Sequence, residues 1–396
     1  RAFCVHGQWL HNSIRNVAIG QKVLAEIFFW TNHARPPSKD RRINCIYVYF
    51  ALIVLSMHVP ADKPRIGISI GDLNGIGPEV IIKALGDSRI LSMLTPVVYG
   101  STRVLSYYRK LMGLEEFNYS QVRNKGQYFP KSINVVNCWD DVIELKPGQP
   151  SRETARAALV ALRQVVDDTR NGFLDGFVTG PIDKNTIHAS DFPYHGHTEY
   201  LTQEFNATES LMLMVSHSFR VGLVTEHVPV REIAQFITRE RVELKIRLME
   251  LSLKNDFAIS KPRIAVLGLN PHAGDEGLLG KEEIDVIKPV IADLKNKGKL
   301  IFGPFPADGF FATGQHTKYD GVLAMFHDQG LVAFKTLAFE SGVNFTAGLP
   351  VVRTSPDHGT AYAIAGKNLA DEGSMREAIY LAADLAKTRA RQLVEK

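Results

Sequence analysis

Cysteine is scarce in this chain of 396 residues. Of three, Cys4 and Cys45 fall in the first 56 residues, and only Cys138 lies beyond Met57. That excludes a disulfide framework as the organising device and fits a reducing cytoplasm. Charge of one sign is lacking too. The formal net charge is +4, but residues 1–56 carry seven Lys/Arg against Glu26 and Asp40, a net +5, which leaves −1 for the remaining 340 residues. A globally cationic surface for nucleic acid is therefore excluded there. Two nucleotide signatures are also missing: no Walker A loop and no G-x-G-x-x-G after the first strand. Any nucleotide cofactor must bind in another way.

The first 56 residues differ in character from the rest of the chain. They hold Trp9 and Trp30 of the three tryptophans and show no sustained helical or strand period. We expect Met57 to be the biological start and residues 1–56 to be non-native upstream or disordered sequence. The alternative is a targeting segment, because Lys39–Arg42 followed by the apolar run Cys45–Leu55 imitates the first two regions of a signal peptide. That run has 11 residues, too short for the roughly 20 that cross a bilayer.

Residues 57–396 are long enough for a catalytic region of two lobes. From Lys63 onward, short β-rich runs alternate with helical patterns. Arg65–Ile70 reads as a strand, Pro78–Leu85 as a helix, and Pro96–Tyr99 as a strand. Arg152–Arg170 has apolar residues at helical spacing, stopped by Asn171-Gly172, and Gly176–Thr179 makes the next strand. Further strands at Arg263–Leu269 and Gly321–Phe326 alternate with helices at Ile284–Lys297 and Met375–Leu393. This order predicts an α/β fold with a largely parallel sheet. Polar residues cluster at the strand exits: Gly71-Asp72, Thr179-Gly180-Pro181, Asn270-Pro271-His272 and His327-Asp328. Ligands bind outside the carboxyl ends of strands in such sheets. Turn chemistry explains the glycines and prolines but not the histidines.

Of thirteen histidines, His227, His272 and His327 stand at strand exits, where three neutral imidazoles can converge on one divalent cation. A lone histidine there is commonly a hydrogen-bonded structural residue, so the inference rests on the three together. His188, His195, His217 and His316 lack such contexts. Gly196-His197-Thr198-Glu199 precedes a helix at Tyr200–Phe205 and suits an anionic substrate group at the helix N-terminus; the plainer reading makes Thr198 the N-cap. Arg353 follows an apolar run and precedes a Ser/Asp/Gly/Thr-rich loop, which suits phosphate or carboxylate recognition. Lys335 and Asn344 lie upstream. Singly, a lysine or arginine in such a place is most often a solvated cation.

Together the segments Gly71–Glu79, Thr179-Gly180-Pro181, Gly196-His197-Thr198-Glu199, Asn270–Gly274, His327–Gly330 and Arg353–Thr360 resemble, in order, the 4-hydroxythreonine-4-phosphate dehydrogenase family of pyridoxal-phosphate biosynthesis. The resemblance runs from about Lys63 to the C-terminus. It implies two α/β/α lobes with a cleft between them, similar to isocitrate and isopropylmalate dehydrogenases, and a cytoplasmic homodimer whose subunits both contribute to the site. It assigns His227, His272 and His327 to a divalent metal (zinc, magnesium or cobalt). It assigns His197, Thr198, Lys335, Asn344 and Arg353 to substrate, and places Asp308 and Asp328 near the metal. The His358-Gly359-Thr360 loop is expected at the NAD or NADP cofactor. Two departures stand out: Gly71-Asp72-Leu73-Asn74-Gly75 where Gly-Asp-Pro-Ala-Gly is familiar, and Asp183-Lys184 where His-Lys is common.

The implied chemistry is oxidation of the secondary hydroxyl, acidified by the metal. Lys335 or an Asp-linked water takes the proton, and hydride passes to the nicotinamide. The β-keto acid product then loses CO2 to give 3-amino-2-oxopropyl phosphate. Rival expectations are a dehydrogenase of threonate or erythronate 4-phosphate, which Asp183 keeps in play, a metal-dependent phosphohydrolase, and a non-enzymatic binding protein.

Overall fold

Short β-branched runs and amphipathic helices alternate along this chain, and the runs assemble into one mixed sheet. The computed structural model describes residues 63–187, 191–194, 196–338 and 341–395; the expectations for residues 1–56, His188 and His195 lie outside them. Twelve strands occur among the described residues. They are β1 (Arg65–Ser69), β2 (Thr95–Gly100), β3 (Tyr119–Gln121), β4 (Ile133–Asn137), β5 (Gly176–Thr179), β6 (Leu211–Val215), β7 (Arg220–Leu223), β8 (Ile264–Leu267), β9 (Ile301–Phe305), β10 (Gly321–Ala324), β11 (Val343–Ala347) and β12 (Arg353–Pro356). Their spatial order is β3-β4-β2-β1-β5-β12-β11-β6-β7-β10-β8-β9. The first six run parallel, as do the last four; the two blocks meet through antiparallel pairings of β11 with β12, of β11 with β6 and of β6 with β7. The α/β class read from the alternation is the class the chain forms.

The helix read at Arg152–Arg170, here α2 after α1 (Gly77–Leu85), has those bounds in the structure. Ser151 caps it by accepting from the Thr154 N–H at 3.2 Å. Its apolar stripe, including Leu159, Leu162, Val165 and Val166, is buried, and each such side chain contributes roughly 1.5–3 kcal/mol. Asn171 ends it, and Gly172 takes φ +74°. Beneath the stripe lies Gly67 of β1, where a Cβ would come within 2.5 Å of Val165 Cγ2 and 2.6 Å of Leu174 Cδ1. Gly67→Ala would force helix and sheet apart.

One predicted helix differs. Instead of a continuous helix from Ile284, a π-helical turn spans Glu283–Ile287 before an α-helix at Lys288–Asn296. Pro289 is the physical reason: its ring would collide with the carbonyl four residues back in an α-helix, and widening the turn relieves this.

Candidate active site

A cleft of about 920 Å³ opens between β5, β7 and the β11–β12 pair. Side chains alternate along a strand, so Arg353 and Ser355 on β12, followed by Asp357, reach the cleft while Thr354 points the other way and donates to Ala378 O. Arg353 opens β12, one step beyond the apolar run that precedes it in sequence. Pairing with β5 begins at Arg353 itself, opposite Phe177, so the apolar residues before it are only the lead-in. Arg353 is 2% exposed. Its guanidinium donates to Thr179 Oγ1 through Nε and Nη2, to Thr346 Oγ1 at 2.9 Å, and to His197 Nδ1 at 3.3 Å. Every one of these partners is neutral, and no carboxylate pairs with Arg353 among the described residues. Burial pushes the guanidinium down to about 9, which leaves it charged at neutral pH. A buried cation without a counter-ion is costly until an anion arrives.

Helix α3 (His197–Glu204) delivers His197. Gly196, not Thr198, occupies the N-cap position, and no side chain caps this helix; Thr198 sits in the first turn and lines the cleft with His197. Burial, then the charges of Arg353 and Lys184, hold the His197 imidazole well below its usual range. Its Nε2 is buried with no partner among the described residues. Asp183 does not line the cleft; its Oδ1 accepts from the Asn185 N–H at 2.9 Å.

Across the cleft, helix α5 (His327–Ala338), which follows α4 (Arg239–Asn255), carries Lys335. Lys335 Nζ lies 3.1 Å from Asp357 Oδ1. Asn344, Lys335, His358 and Gly359 all reach the cleft. His358 Nδ1 lies 3.1 Å from Gly359 O, which as a carbonyl only accepts. The imidazole thus carries its proton on Nδ1, and Nε2 is a buried acceptor without a partner among the described residues. Such an acceptor fits a hydroxyl or amide of a nicotinamide cofactor. Thr360 does not line the cleft. Its carbonyl accepts from the Ile76 N–H at 2.9 Å, and Gly75 approaches so closely that a Cβ would lie 2.9 Å from that oxygen. Thr360 locks its loop onto the glycine-rich loop after β1.

The three strand-exit histidines are not gathered equally. His227 lines the cleft, and its ring centre lies 5.8 Å from that of His327. Imidazoles bound at about 2.0–2.1 Å put their ring centres about 3.2 Å from an ion, so two on one ion stand about 5–6 Å apart. The pair fits joint ligation. His327 Nδ1 lies 2.7 Å from Asp328 Oδ1, an arrangement that leaves Nε2 as the donor to a metal. His272 is exposed on a separate turn, and among the described residues no group of three or more His, Cys, Asp or Glu side chains is placed to hold a metal ion. Asp308 and Asp328 are exposed outside the cleft lining.

The His272 turn is backbone-strained. His272, Ala273, Gly274, Asp275 and Glu276 all take positive φ, between 43° and 82°, a conformation costing a non-glycine residue about 1 kcal/mol. Buried Glu283 holds it: one oxygen accepts from the Asn270 N–H at 2.8 Å and the other from Asn270 Nδ2 at 3.0 Å. Gln329 joins the two strand exits, accepting from the Met325 N–H and donating to Gly268 O, both at 2.7 Å. Glu283, Gln329 and Asp357 escaped sequence reasoning. Gln329 and Asp357 stood inside quoted motifs, but Glu283 had no local signal.

The family model described as pyridoxal phosphate biosynthetic protein PdxA matches residues 92–382. A 4-hydroxythreonine-4-phosphate dehydrogenase from Bacteroides thetaiotaomicron is 49% identical over 332 residues, covering 84% of this chain and 91% of the relative. A relative from Oceanobacillus iheyensis, provisionally named a D-threonate 4-phosphate dehydrogenase, is 38% identical and covers 83% of this chain and 100% of its own. The solved structure of 4-hydroxythreonine-4-phosphate dehydrogenase from Klebsiella pneumoniae superposes with a TM-score of 0.70 at 34% identity, covering 82% of this chain and 99% of that one.

Proposed function

The chain belongs to the PdxA family of pyridoxal phosphate biosynthetic proteins, and from that premise we propose how its cleft works: it oxidises 4-hydroxythreonine 4-phosphate with a nicotinamide cofactor, NAD or NADP. The observation that carries this reading is the buried guanidinium of Arg353 in the cleft wall, which meets no carboxylate among the described residues. A substrate phosphate or carboxylate supplies the missing anion, and the fork of N–H donors fixes its orientation. The neutral Nε2–H of His197 adds a donor on the same side. Lys335, Asn344 and Thr198 hold the rest of the substrate, and His358 with Gly359 meets the cofactor, Thr360 serving only to fix that loop.

His227 and His327 would hold a divalent cation, and His272 would be the third ligand in a homodimer. Bound there, cation and cofactor supply acidification of the secondary hydroxyl and acceptance of hydride. The residues of the chain do the rest: they clamp the anionic ends, turn the reacting carbon toward the cofactor, and receive the hydroxyl proton at Lys335 Nζ. No helix among the described residues is long and apolar enough to cross a membrane.

A second reading, oxidation of D-threonate 4-phosphate, draws support from the Oceanobacillus relative. Asp183, the departure that favoured it, lies outside the cleft lining. The test is nicotinamide reduction by purified protein with each substrate, with NAD or NADP and added divalent metal. Preference for 4-hydroxythreonine 4-phosphate is expected. Preference for threonate 4-phosphate moves the substrate assignment, and phosphate release without nicotinamide reduction overturns the dehydrogenase reading.

A further inference from the structure

Asp357 lines the cleft directly behind Lys335, and neither substrate, cofactor nor metal binding gives it a role. Its Oδ1 lies 3.1 Å from Lys335 Nζ. Its backbone is anchored: the Asp357 N–H donates to Ser374 Oγ at 2.9 Å, and Ser374 Oγ–H donates to Gly342 O at 2.8 Å. The Asp357 side chain is 16% exposed and that of Lys335 40%, so the lysine leads into the cleft and the carboxylate backs it. A lysine held as an ammonium has no lone pair for a substrate proton until it sheds one of its own. The atom placed to receive that proton is Asp357 Oδ1.

We propose, resting on the dehydrogenase reading, that Asp357 is the positioning residue of Lys335 and the destination of the hydroxyl proton. As the substrate O–H bond breaks, Nζ takes that proton and passes one of its own to Asp357 Oδ1. The electron pair of the adjacent C–H bond leaves as hydride to the oxidised nicotinamide, and the carbon–oxygen double bond forms from the O–H pair. Lys335 ends as it began, an ammonium, and Asp357 ends protonated. Burial favours that protonated carboxyl, against the positive charge of Lys335; His358 and His327 are the other titratable groups that face it among the described residues.

Asp357→Asn keeps the shape and removes the proton acceptor; Asp357→Glu keeps the acceptor. The first readout needs neither substrate nor cofactor: acylation of Lys335 in the ligand-free protein, followed by peptide mass spectrometry at mildly alkaline pH. Loss of the charge-assisted contact that ties up Nζ should raise Lys335 acylation about threefold or more in Asp357→Asn, and Asp357→Glu should restore it. The second is steady-state kinetics, where Asp357→Asn should lower kcat about 100-fold or more with KM within about threefold, Asp357→Glu recovering part. Unchanged Lys335 acylation in Asp357→Asn overturns the pairing. A kcat within about threefold of an active wild type overturns the relay. Failure of the dehydrogenase reading is distinguishable: the wild type itself would reduce no nicotinamide, the relay would fall with it, and the acylation result would still decide the pairing.

Discussion

Arg353 Nη2 lies 3.3 Å from His197 Nδ1. A guanidinium only donates, so Nδ1 accepts and the imidazole carries its proton on Nε2. Burial first, then the charges of Arg353 and Lys184, hold His197 below its ordinary value. A histidine depressed in the folded state favours the neutral form there. Its contribution to stability is therefore complete above about 6.5, the unfolded value, and is lost as pH falls below it. Thermal melts between about pH 7 and pH 5 should show the wild type losing stability toward acid and His197→Asn losing less. Equal slopes would remove His197 from the acid response.

Arg353 sets binding against stability. Arg353→Met takes an uncompensated cation out of the protein interior, so the ligand-free variant should melt at or above the wild-type temperature. The same change deletes the anion fork and should cost about 2–4 kcal/mol of transition-state binding, roughly 30- to 1000-fold in kcat/KM. Arg353→Lys should recover little, because an ammonium cannot reproduce the planar fork. Wild-type kcat/KM in Arg353→Met would sink the anion-site assignment.

The left-handed turn that carries His272 should be sensitive at Gly274. Its φ is +82°, and a Cβ would stand 2.6 Å from Glu283 Oε2. Gly274→Ala should destabilise by about 1–3 kcal/mol. Glu283→Ala strands the Asn270 N–H and should cost a similar amount. Denaturant unfolding of both variants measures this; wild-type stability in both would mean that the turn does not depend on Glu283.

What could be read beforehand was whatever has a local period. The α2 stripe repeats at helical spacing over 19 residues and is stopped by Asn171-Gly172, and the polar residues after β5, β8 and β10 fall where a parallel sheet opens its edge. The undetected features are pairings between distant segments. Asp357 meets Lys335 across 22 positions, and Glu283 meets Asn270 across 13; in sequence each is an ordinary carboxylate of the kind that usually faces water. Arg353 could be recognised as an anion binder from its neighbours, but its burial could not, because that depends on β5 and β11 closing over both sides.

His227 and His327 stand 5.8 Å apart, and Asp328 holds Nδ1 of His327, so Asp328 should act by orienting a ligand without touching the ion. Titration calorimetry of metal-free protein with cobalt or zinc should show loss of tight binding in His227→Ala and His327→Ala. Asp328→Asn should weaken binding by about 10- to 100-fold. His272 is the discriminating case, because it is exposed on a turn of its own while His227 and His327 face one another. If it completes the ligand set in the homodimer, His272→Ala should weaken binding in the dimer as severely as the other two. Wild-type affinity in that variant would reduce the protein ligands to the His227–His327 pair.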